Sequence, residues 1–246
     1  MIEQQIDIAT GDGKLPTFIA HPEASGPFPV VLVLMDGMGI RPSLEDVTRR
    51  IAATGYYAML PDMYYRSGSS TVLQNDDPDR WDRMIALVQS LSEEMVINDA
   101  GALLDHASGD PHARPGAAGV MGFCMGGRFS VVVAQGLGER IQAAVAIHPG
   151  NLASDADNSA HRHLDCIAGE LYLAIADNDQ WCTPEQVSLM REALEKQAVV
   201  HEFELHRGAA HGFGVPGGES YHEEASELVW QKIDKLFARK LGGVAR

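Results

Sequence analysis

The run Gly122-Phe-Cys124-Met-Gly-Gly127 joins an apolar predicted strand to a predicted helix. This is the pattern of a nucleophile elbow, a turn so sharp that the residues around the nucleophile must be small. The helix N-terminus also offers backbone N–H groups and a partial positive charge, which favour a thiolate and a developing oxyanion. Cys124 is therefore the candidate nucleophile. A buried structural cysteine and a phosphate-binding turn stay open as alternatives, although the run fits neither the dinucleotide nor the P-loop pattern.

Two further reactive groups follow later predicted strands. Asp177 and Asp179 come directly after the apolar run 170–176, and His211 follows the alternating run 199–206. A cysteine nucleophile needs a base, and the base needs an acid that orients it. In elbow enzymes the chain order is nucleophile, acid, histidine. The sequence therefore predicts a triad of Cys124, one of the two aspartates and His211.

The order of the predicted elements indicates the scaffold that positions these groups. Two short extended runs flank the turn Gly11-Asp12-Gly13 and predict a β-hairpin, after which apolar strands and amphipathic helices alternate to the end of the chain. This alternation predicts an α/β fold, a doubly wound and mostly parallel sheet with helices on both faces. In such sheets function collects beyond the carboxyl ends of the strands. We expect one domain that spans residues 1–246.

Local signals predict where several helices begin. Pro42-Ser43 followed by Asp46, and Ser220 followed by Glu223, resemble capping boxes. Thr183-Pro184 predicts a cap and a first helical position. One continuous helix is expected from about residue 81 to residue 106, after a polar connection at 66–79.

The chain resembles the dienelactone hydrolases (carboxymethylenebutenolidases), a branch of the α/β-hydrolase fold. The resemblance spans nearly the whole chain. The residues that carry it are the elbow at 122–127, Ala176-Asp-Asn-Asp179 with Pro184 following, His211-Gly-Phe213, and the stretch 55–64 with its Pro-Asp-Met-Tyr ending. It implies a Cys-Asp-His triad in which Cys124 is the nucleophile, Asp179 the orienting acid and His211 the base. Asp179 is preferred to Asp177 because the family's Gly-x-x-Asp spacing maps onto Ala176 to Asp179.

The resemblance also implies how the substrate is held. It places the oxyanion hole at the backbone N–H groups of Met125 and Gly37, and an acid that interacts with the resting thiol at Asp36. The family binds a substrate carboxylate through arginines, one of them soon after the catalytic histidine, but His211-Gly-Phe-Gly-Val215 contains no arginine. Arg80 and Arg83 lie in roughly the region of the other. We therefore expect a small ester or lactone that is neutral or anchored differently.

Other reactive side chains receive weaker assignments. Trp181 and Phe213 are candidate pocket walls, with aromatic core as the alternative. His148 follows a predicted strand at the same edge but is out of order for the base. His161 and His163 lack further ligands at matching spacing, so no metal site is predicted. The remaining two cysteines, Cys166 and Cys182, have no elbow and are interpreted as structural.

Composition excludes several classes of protein. The chain has 246 residues, 19 Lys and Arg against 34 Asp and Glu, and a formal net charge of −15. This balance disfavours nucleic acid and anionic membranes as partners, and three cysteines without a CxxC spacing predict free thiols in a reducing compartment. With no leader-like segment visible, a cytoplasmic protein is expected, as a monomer or homodimer without a cofactor.

Together these observations predict a hydrolase that acts on a small-molecule carboxylic ester or lactone through an acyl-enzyme on Cys124. The same residues would permit thioester hydrolysis or acyl transfer to an acceptor other than water. A binding module that kept the elbow and its thiol without turnover is an alternative from another class.

Overall fold

The computed structural model describes residues 1–68 and 78–242. Its strands, in chain order, are β1 (Ile2–Thr10), β2 (Gly13–His21), β3 (Phe28–Leu34), β4 (Tyr57–Pro61), β5 (Ala113–Phe123), β6 (Ile141–Ile147), β7 (Glu170–Asn178) and β8 (His201–Ala210). Its α-helices are α1 (Pro42–Ala53), α2 (Arg80–Gln89), α3 (Glu93–Ser108), α4 (Met125–Leu137), α5 (Pro184–Lys196) and α6 (Glu223–Leu241). The middle of the predicted polar connection, residues 69–77, lies outside the described residues.

The eight strands form one mixed sheet in the order β1-β2-β4-β3-β5-β6-β7-β8. The hairpin β1–β2 and the pair β2–β4 are antiparallel, and every later pair is parallel. The predicted N-terminal hairpin and mostly parallel sheet are therefore confirmed. Parallel connections need a crossover, which explains why helices separate the later strands in the sequence.

The central strands are continuous apolar runs because both faces of the sheet are covered. Every residue of β4 is buried, as are all of β3 after Phe28 and all of β6 except Gln142. Helix α4 packs against β5, β6 and α3, while α6 packs against β5 and β6. Arg50 on α1 forms an ion pair with Glu227 on α6 at 2.6 Å.

The register of the parallel strands aligns their carboxyl ends. Phe123 of β5 pairs with Ile147 of β6, Ile147 pairs with Ala174 of β7, and Asn178 of β7 pairs with Ala210 of β8. The residues that follow β5, β7 and β8 in the chain include the three candidates for the triad. The topology thus brings residues that are more than 80 positions apart in the sequence to one edge.

Helix α1 begins at Pro42, as predicted, but two predicted caps and one predicted helix are wrong. Arg41, not Ser43, is the N-cap residue of α1, and it makes no side-chain cap bond because a guanidinium only donates; it donates to Asp36 and to the carbonyl of Gly39. His222, not Ser220, caps α6 through its ring Nδ1, which accepts from Ala225 N at 3.2 Å. The predicted long helix is two, α2 and α3, because the Ser92 hydroxyl accepts from Met95 N and starts a new helix.

The cap predicted at Thr183 is confirmed, since its hydroxyl accepts from Gln186 N at 3.5 Å and Pro184 begins α5. Within the described ranges, none of the helices has the length and the apolar character that crossing a membrane demands.

Candidate active site at the carboxyl edge of the sheet

Cys124 lies between the last residue of β5 and the first residue of α4, with φ 53° and ψ −117°. Left-handed backbone of this kind is strained for a residue with a side chain. Three backbone hydrogen bonds hold it there: Cys124 N donates to Ile147 O at 3.1 Å, and its carbonyl accepts from Arg128 N at 3.2 Å and Gly150 N at 3.3 Å. The surrounding strands and helix therefore impose the conformation that exposes this thiol at the sheet edge.

The elbow glycines are required by close backbone approach. A Cβ at Gly122 would lie 2.2 Å from the carbonyl oxygen of Gly126, and a Cβ at Gly126 would lie 2.4 Å from that of Met35. No side chain fits at either distance without moving backbone. The steric reason given for these glycines from the sequence is confirmed.

His211 and Asp179 form a buried hydrogen-bonded pair. His211 Nδ1 lies 2.7 Å from Asp179 Oδ2, and a carboxylate only accepts, so Nδ1 carries the proton. The Asp179 side chain is fully buried, and its other oxygen accepts from the backbone N–H of Trp181 at 2.8 Å and of Cys182 at 3.2 Å. These donors satisfy the buried carboxylate and fix its orientation toward the imidazole.

Asp177 faces elsewhere. It is exposed, and its carboxylate accepts from Gly208 N at 3.2 Å. Of the two aspartates after the apolar run of β7, the structure therefore brings Asp179 to His211 and leaves Asp177 at the surface.

The environment of His211 favours its charged form. Burial opposes a charge on the ring, but the hydrogen bond to Asp179 and the interaction with Cys124 outweigh it and raise the pKa of His211 to about 10. In contrast, burial and the nearby charge of Asp179 raise the pKa of the Cys182 thiol to about 12, which keeps that thiol protonated and unreactive.

Cys124 and His211 border the same space. A Cβ at Gly150 would lie 3.8 Å from Cys124 Sγ and 3.7 Å from His211 Cε1. The Nε2 atom of His211 is buried and makes no hydrogen bond to any residue in the described ranges. The imidazole therefore has one nitrogen held by Asp179 and the other available on the side of the thiol.

The two backbone groups expected to bind an oxyanion also lie at this edge. Met125 is the first residue of α4, so its N–H has no acceptor within the helix. Gly37 lies in the loop after β3, where the buried Tyr64 hydroxyl donates to its carbonyl at 2.9 Å and lies 3.5 Å from Met125 Sδ. Tyr64 thus ties the Gly37 loop to the start of α4. The sequence analysis assigned Tyr64 no role, although it lies in the Pro-Asp-Met-Tyr stretch.

Asp36 forms an ion pair within its own loop. Arg41 donates to both carboxylate oxygens of Asp36, at 2.7 and 2.5 Å, and Met38 N donates at 2.9 Å. Asp36 lines the cavity but is engaged by Arg41, which the sequence analysis missed although it stands only five residues further on.

A cavity of about 580 Å³ opens beside Cys124 and His211. Trp181 lines it, as expected. Phe213 does not: its ring is fully buried and packs 5.5 Å from the ring of His148 and 5.1 Å from that of His206, so the prediction of a pocket wall is wrong for this residue. Three arginines reach the cavity, Arg41, Arg80 and Arg128, whereas Arg83 is not among the lining residues. Arg128 forms an ion pair with Glu93 at 3.4 Å.

The other histidines have different surroundings. His148 lines the cavity with its ring buried, and His161 and His163 bond to Ser159 Oγ and the Asp157 carbonyl. Across residues 1–68 and 78–242, no cluster of three or more His, Cys, Asp or Glu side chains has the arrangement to hold a metal ion.

Comparisons with known proteins agree on one family. The Dienelactone hydrolase family matches residues 15–241. A protein of Escherichia coli (strain K12) named "Putative carboxymethylenebutenolidase" is 32% identical over 239 residues, which cover 94% of this chain and 84% of that one. A protein of the same name from Synechocystis sp. is 29% identical and covers 93% of both chains.

Solved structures share the fold. The crystal structure titled "Putative Dienelactone Hydrolase" from Klebsiella pneumoniae superposes with a TM-score of 0.86 at 25% identity, covering 97% of this chain and 98% of that one. An acylaminoacyl peptidase superposes with a TM-score of 0.73 at 15% identity, over 97% of this chain and 41% of its own length. At this identity the similarity shows the fold alone. The architecture is that of the α/β-hydrolases, as predicted.

Proposed function

Because the chain belongs to the dienelactone hydrolase family, we propose that it hydrolyses carboxylic esters or lactones with Cys124 as nucleophile, His211 as acid and base, and Asp179 as the orienting acid. The observation that carries the proposal is the pair of His211 and Asp179, joined at 2.7 Å, beside a strained elbow cysteine in one cavity. The three residues follow three strand ends in the chain order nucleophile, acid, histidine that is typical of elbow enzymes.

In the proposed first step Cys124 attacks as a thiolate and its proton is held by His211. Since Asp179 and Cys124 raise the pKa of His211, the imidazolium persists at neutral pH next to Cys124. The thiolate attacks the carbonyl carbon, and the carbonyl oxygen becomes an oxyanion between the N–H groups of Met125 and Gly37. Loss of one such donor typically costs about 3–4 kcal/mol of transition-state stabilisation.

Collapse of the tetrahedral intermediate breaks the carbonyl–oxygen bond of the ester. The Nε2 proton of His211 passes to the departing alkoxide, which leaves as an alcohol, and an acyl group remains on Cys124. His211, now neutral, removes a proton from water, and the resulting hydroxide equivalent attacks the thioester. The products are a carboxylic acid and the regenerated thiolate–imidazolium pair.

The Asp36–Arg41 ion pair supports this chemistry indirectly. With Met38 N also bound to Asp36, it holds the loop that carries Gly37, and Tyr64 holds the same loop from the other side. Preorganised donors need no rearrangement when the oxyanion forms. We assign Asp36 and Arg41 to positioning the loop.

Steady-state hydrolysis of p-nitrophenyl acetate tests the proposal. Cys124→Ala should lose at least about 1,000-fold in kcat, as nucleophile removal does in related triads. Cys166→Ala is the matched control because Cys166 is an exposed thiol outside the cavity, and it should retain wild-type activity. Undiminished turnover by Cys124→Ala would overturn the assignment.

A further inference from the structure

Helix α2 turns its apolar side chains toward the catalytic cavity. Trp81, Met84, Ile85 and Val88 recur at helical spacing, and all four line the cavity. Met84 is the one residue of this helix that is buried. Trp81 is 50% exposed and Ile85 37% exposed, which is unusual for large apolar side chains that share one face.

This apolar stripe begins at the oxyanion loop. A Cβ at Gly37 would lie 2.9 Å from Met84 Sδ and 3.5 Å from Val88 Cγ2, so the middle and the end of α2 pack directly on Gly37. From Val88 back to Trp81 the helix extends by roughly 10 Å. The stripe therefore leads from the site of the scissile carbonyl toward the exposed start of the helix.

The proposed mechanism determines which part of an ester contacts the apolar stripe of α2. The leaving oxygen must face His211 to receive its proton, on the side where Gly150 and Trp181 border Cys124. With the carbonyl oxygen at Gly37 and Met125 and the leaving oxygen at His211, the acyl portion takes the remaining side of the carbonyl carbon, and α2 is the apolar element that lines the cavity next to Gly37.

We propose that α2 is an acyl-binding wall, and that the preferred substrates carry an extended apolar acyl group of roughly six to eight carbons. This inference rests on the proposed function and narrows its substrate class. A cavity of about 580 Å³ accommodates an acyl chain of this size together with its leaving group. Trp81 and Ile85 are the residues that set the preference, since among the described residues they present apolar surface that stays exposed.

A series of esters with acyl chains of increasing length distinguishes an acyl-binding wall from an apolar pocket that favours neither part of the ester. The probes are p-nitrophenyl acetate, butyrate, hexanoate and octanoate. Wild-type kcat/KM should rise about twofold to fourfold per added methylene up to six or eight carbons, the gain that burial of one methylene supplies. A second series, acetates of alcohols of increasing length, should show no such rise.

The variants Trp81→Ala and Ile85→Ala should flatten the acyl series, so that their loss in kcat/KM relative to wild type grows with each added methylene and is smallest for the acetate. Leu228→Ala is the control because Leu228 is 49% exposed on α6, outside the cavity. A flat wild-type series, or a slope that neither variant changes, would overturn the inference while Cys124-dependent acetate turnover kept the proposed function intact.

Binding of methyl ketones from 2-butanone to 2-decanone, measured by calorimetry, decides the inference even if no ester is hydrolysed. If no ester is hydrolysed, the acyl wall is still supported when the Kd of wild type falls with ketone chain length and the Kd of Trp81→Ala falls less steeply. A Kd that is independent of chain length contradicts it.

Discussion

Two histidines stand at the same edge of the sheet and contact one another, yet their surroundings differ. His148 follows β6 and His211 follows β8, with ring centroids 5.0 Å apart at 66°. His211 is hydrogen-bonded to Asp179, whereas both ring nitrogens of His148 are buried without a partner among the described residues. His148 also has a left-handed backbone, at φ 36°.

The contrast in charge follows from these contacts. Burial, reinforced by the charges of His211 and Arg41, lowers the pKa of His148 well below its usual value, so this ring stays neutral. For His211 burial acts in the same direction, but Asp179 and Cys124 reverse its effect. The position of a histidine beyond a strand end therefore does not determine its charge, whereas a hydrogen bond to a buried carboxylate favours the imidazolium.

Replacing each of the two histidines in turn should give the largest difference in catalytic activity. His211→Gln should lower kcat/KM for p-nitrophenyl acetate by about 1,000-fold, because the proton carrier is removed. His148→Phe should lower it by less than about tenfold, since a neutral unpartnered ring carries no proton in the mechanism. His201→Gln, an exposed position on β8, is the control. A severe loss in His148→Phe with a mild one in His211→Gln would reassign the base.

Removing the Asp179 carboxylate should lower the pKa of His211, so that its charge state comes closer to that of His148. Asp179→Asn eliminates the charge that stabilises the imidazolium, so kcat should fall by roughly 100-fold to 10,000-fold. The pH profile of Cys124 alkylation should also change, because the pKa of His211 falls toward its ordinary value. Asp177→Asn keeps the same chemistry at an exposed site and should be within twofold of wild type. The opposite ranking of the two variants would identify Asp177 as the acid.

The decline of the unfolding free energy at acid pH should show that His148 is neutral in the folded protein. Its folded-state pKa is lowered, so below about pH 6.5 the unfolded chain binds a proton that the folded chain does not. Wild type should therefore lose up to about 1.4 kcal/mol of unfolding free energy per pH unit through this ring. His148→Phe should show a shallower decline between pH 6.5 and 5 in urea titrations. Parallel declines would mean that His148 is protonated in the fold.

Much of this arrangement could be predicted from the sequence because its signals are local. Alternating strands and helices indicate the sheet, and Gly122, Gly126 and Gly127 around Cys124 mark the elbow. The order of Asp179 and His211 after later strands follows from topology. The choice between Asp177 and Asp179 needed the family's spacing, since both stand past the same apolar run.

The errors concern side chains with several possible partners. The ion pair between Asp36 and Arg41 was not predicted, although both residues stand in the same loop. Phe213 stands two residues from His211, yet its ring turns inward against His148. Ser92 splits a helix that periodicity alone makes continuous, because a hydroxyl cap stabilises a new N-terminus. The Asp36–Arg41 pair and the cap at Ser92 are local, but residue spacing alone does not select among several possible hydrogen-bond partners. The inward packing of Phe213 depends on tertiary contacts.

The most direct test of covalent catalysis on Cys124 is rapid quenching of wild type with p-nitrophenyl acetate, followed by mass spectrometry of its peptides. If Cys124 is the nucleophile, each chain should release one p-nitrophenol in a burst, and an acetyl group should appear on the peptide that contains Cys124. Turnover without a burst, or acetylation confined to Cys166 or Cys182, would contradict it.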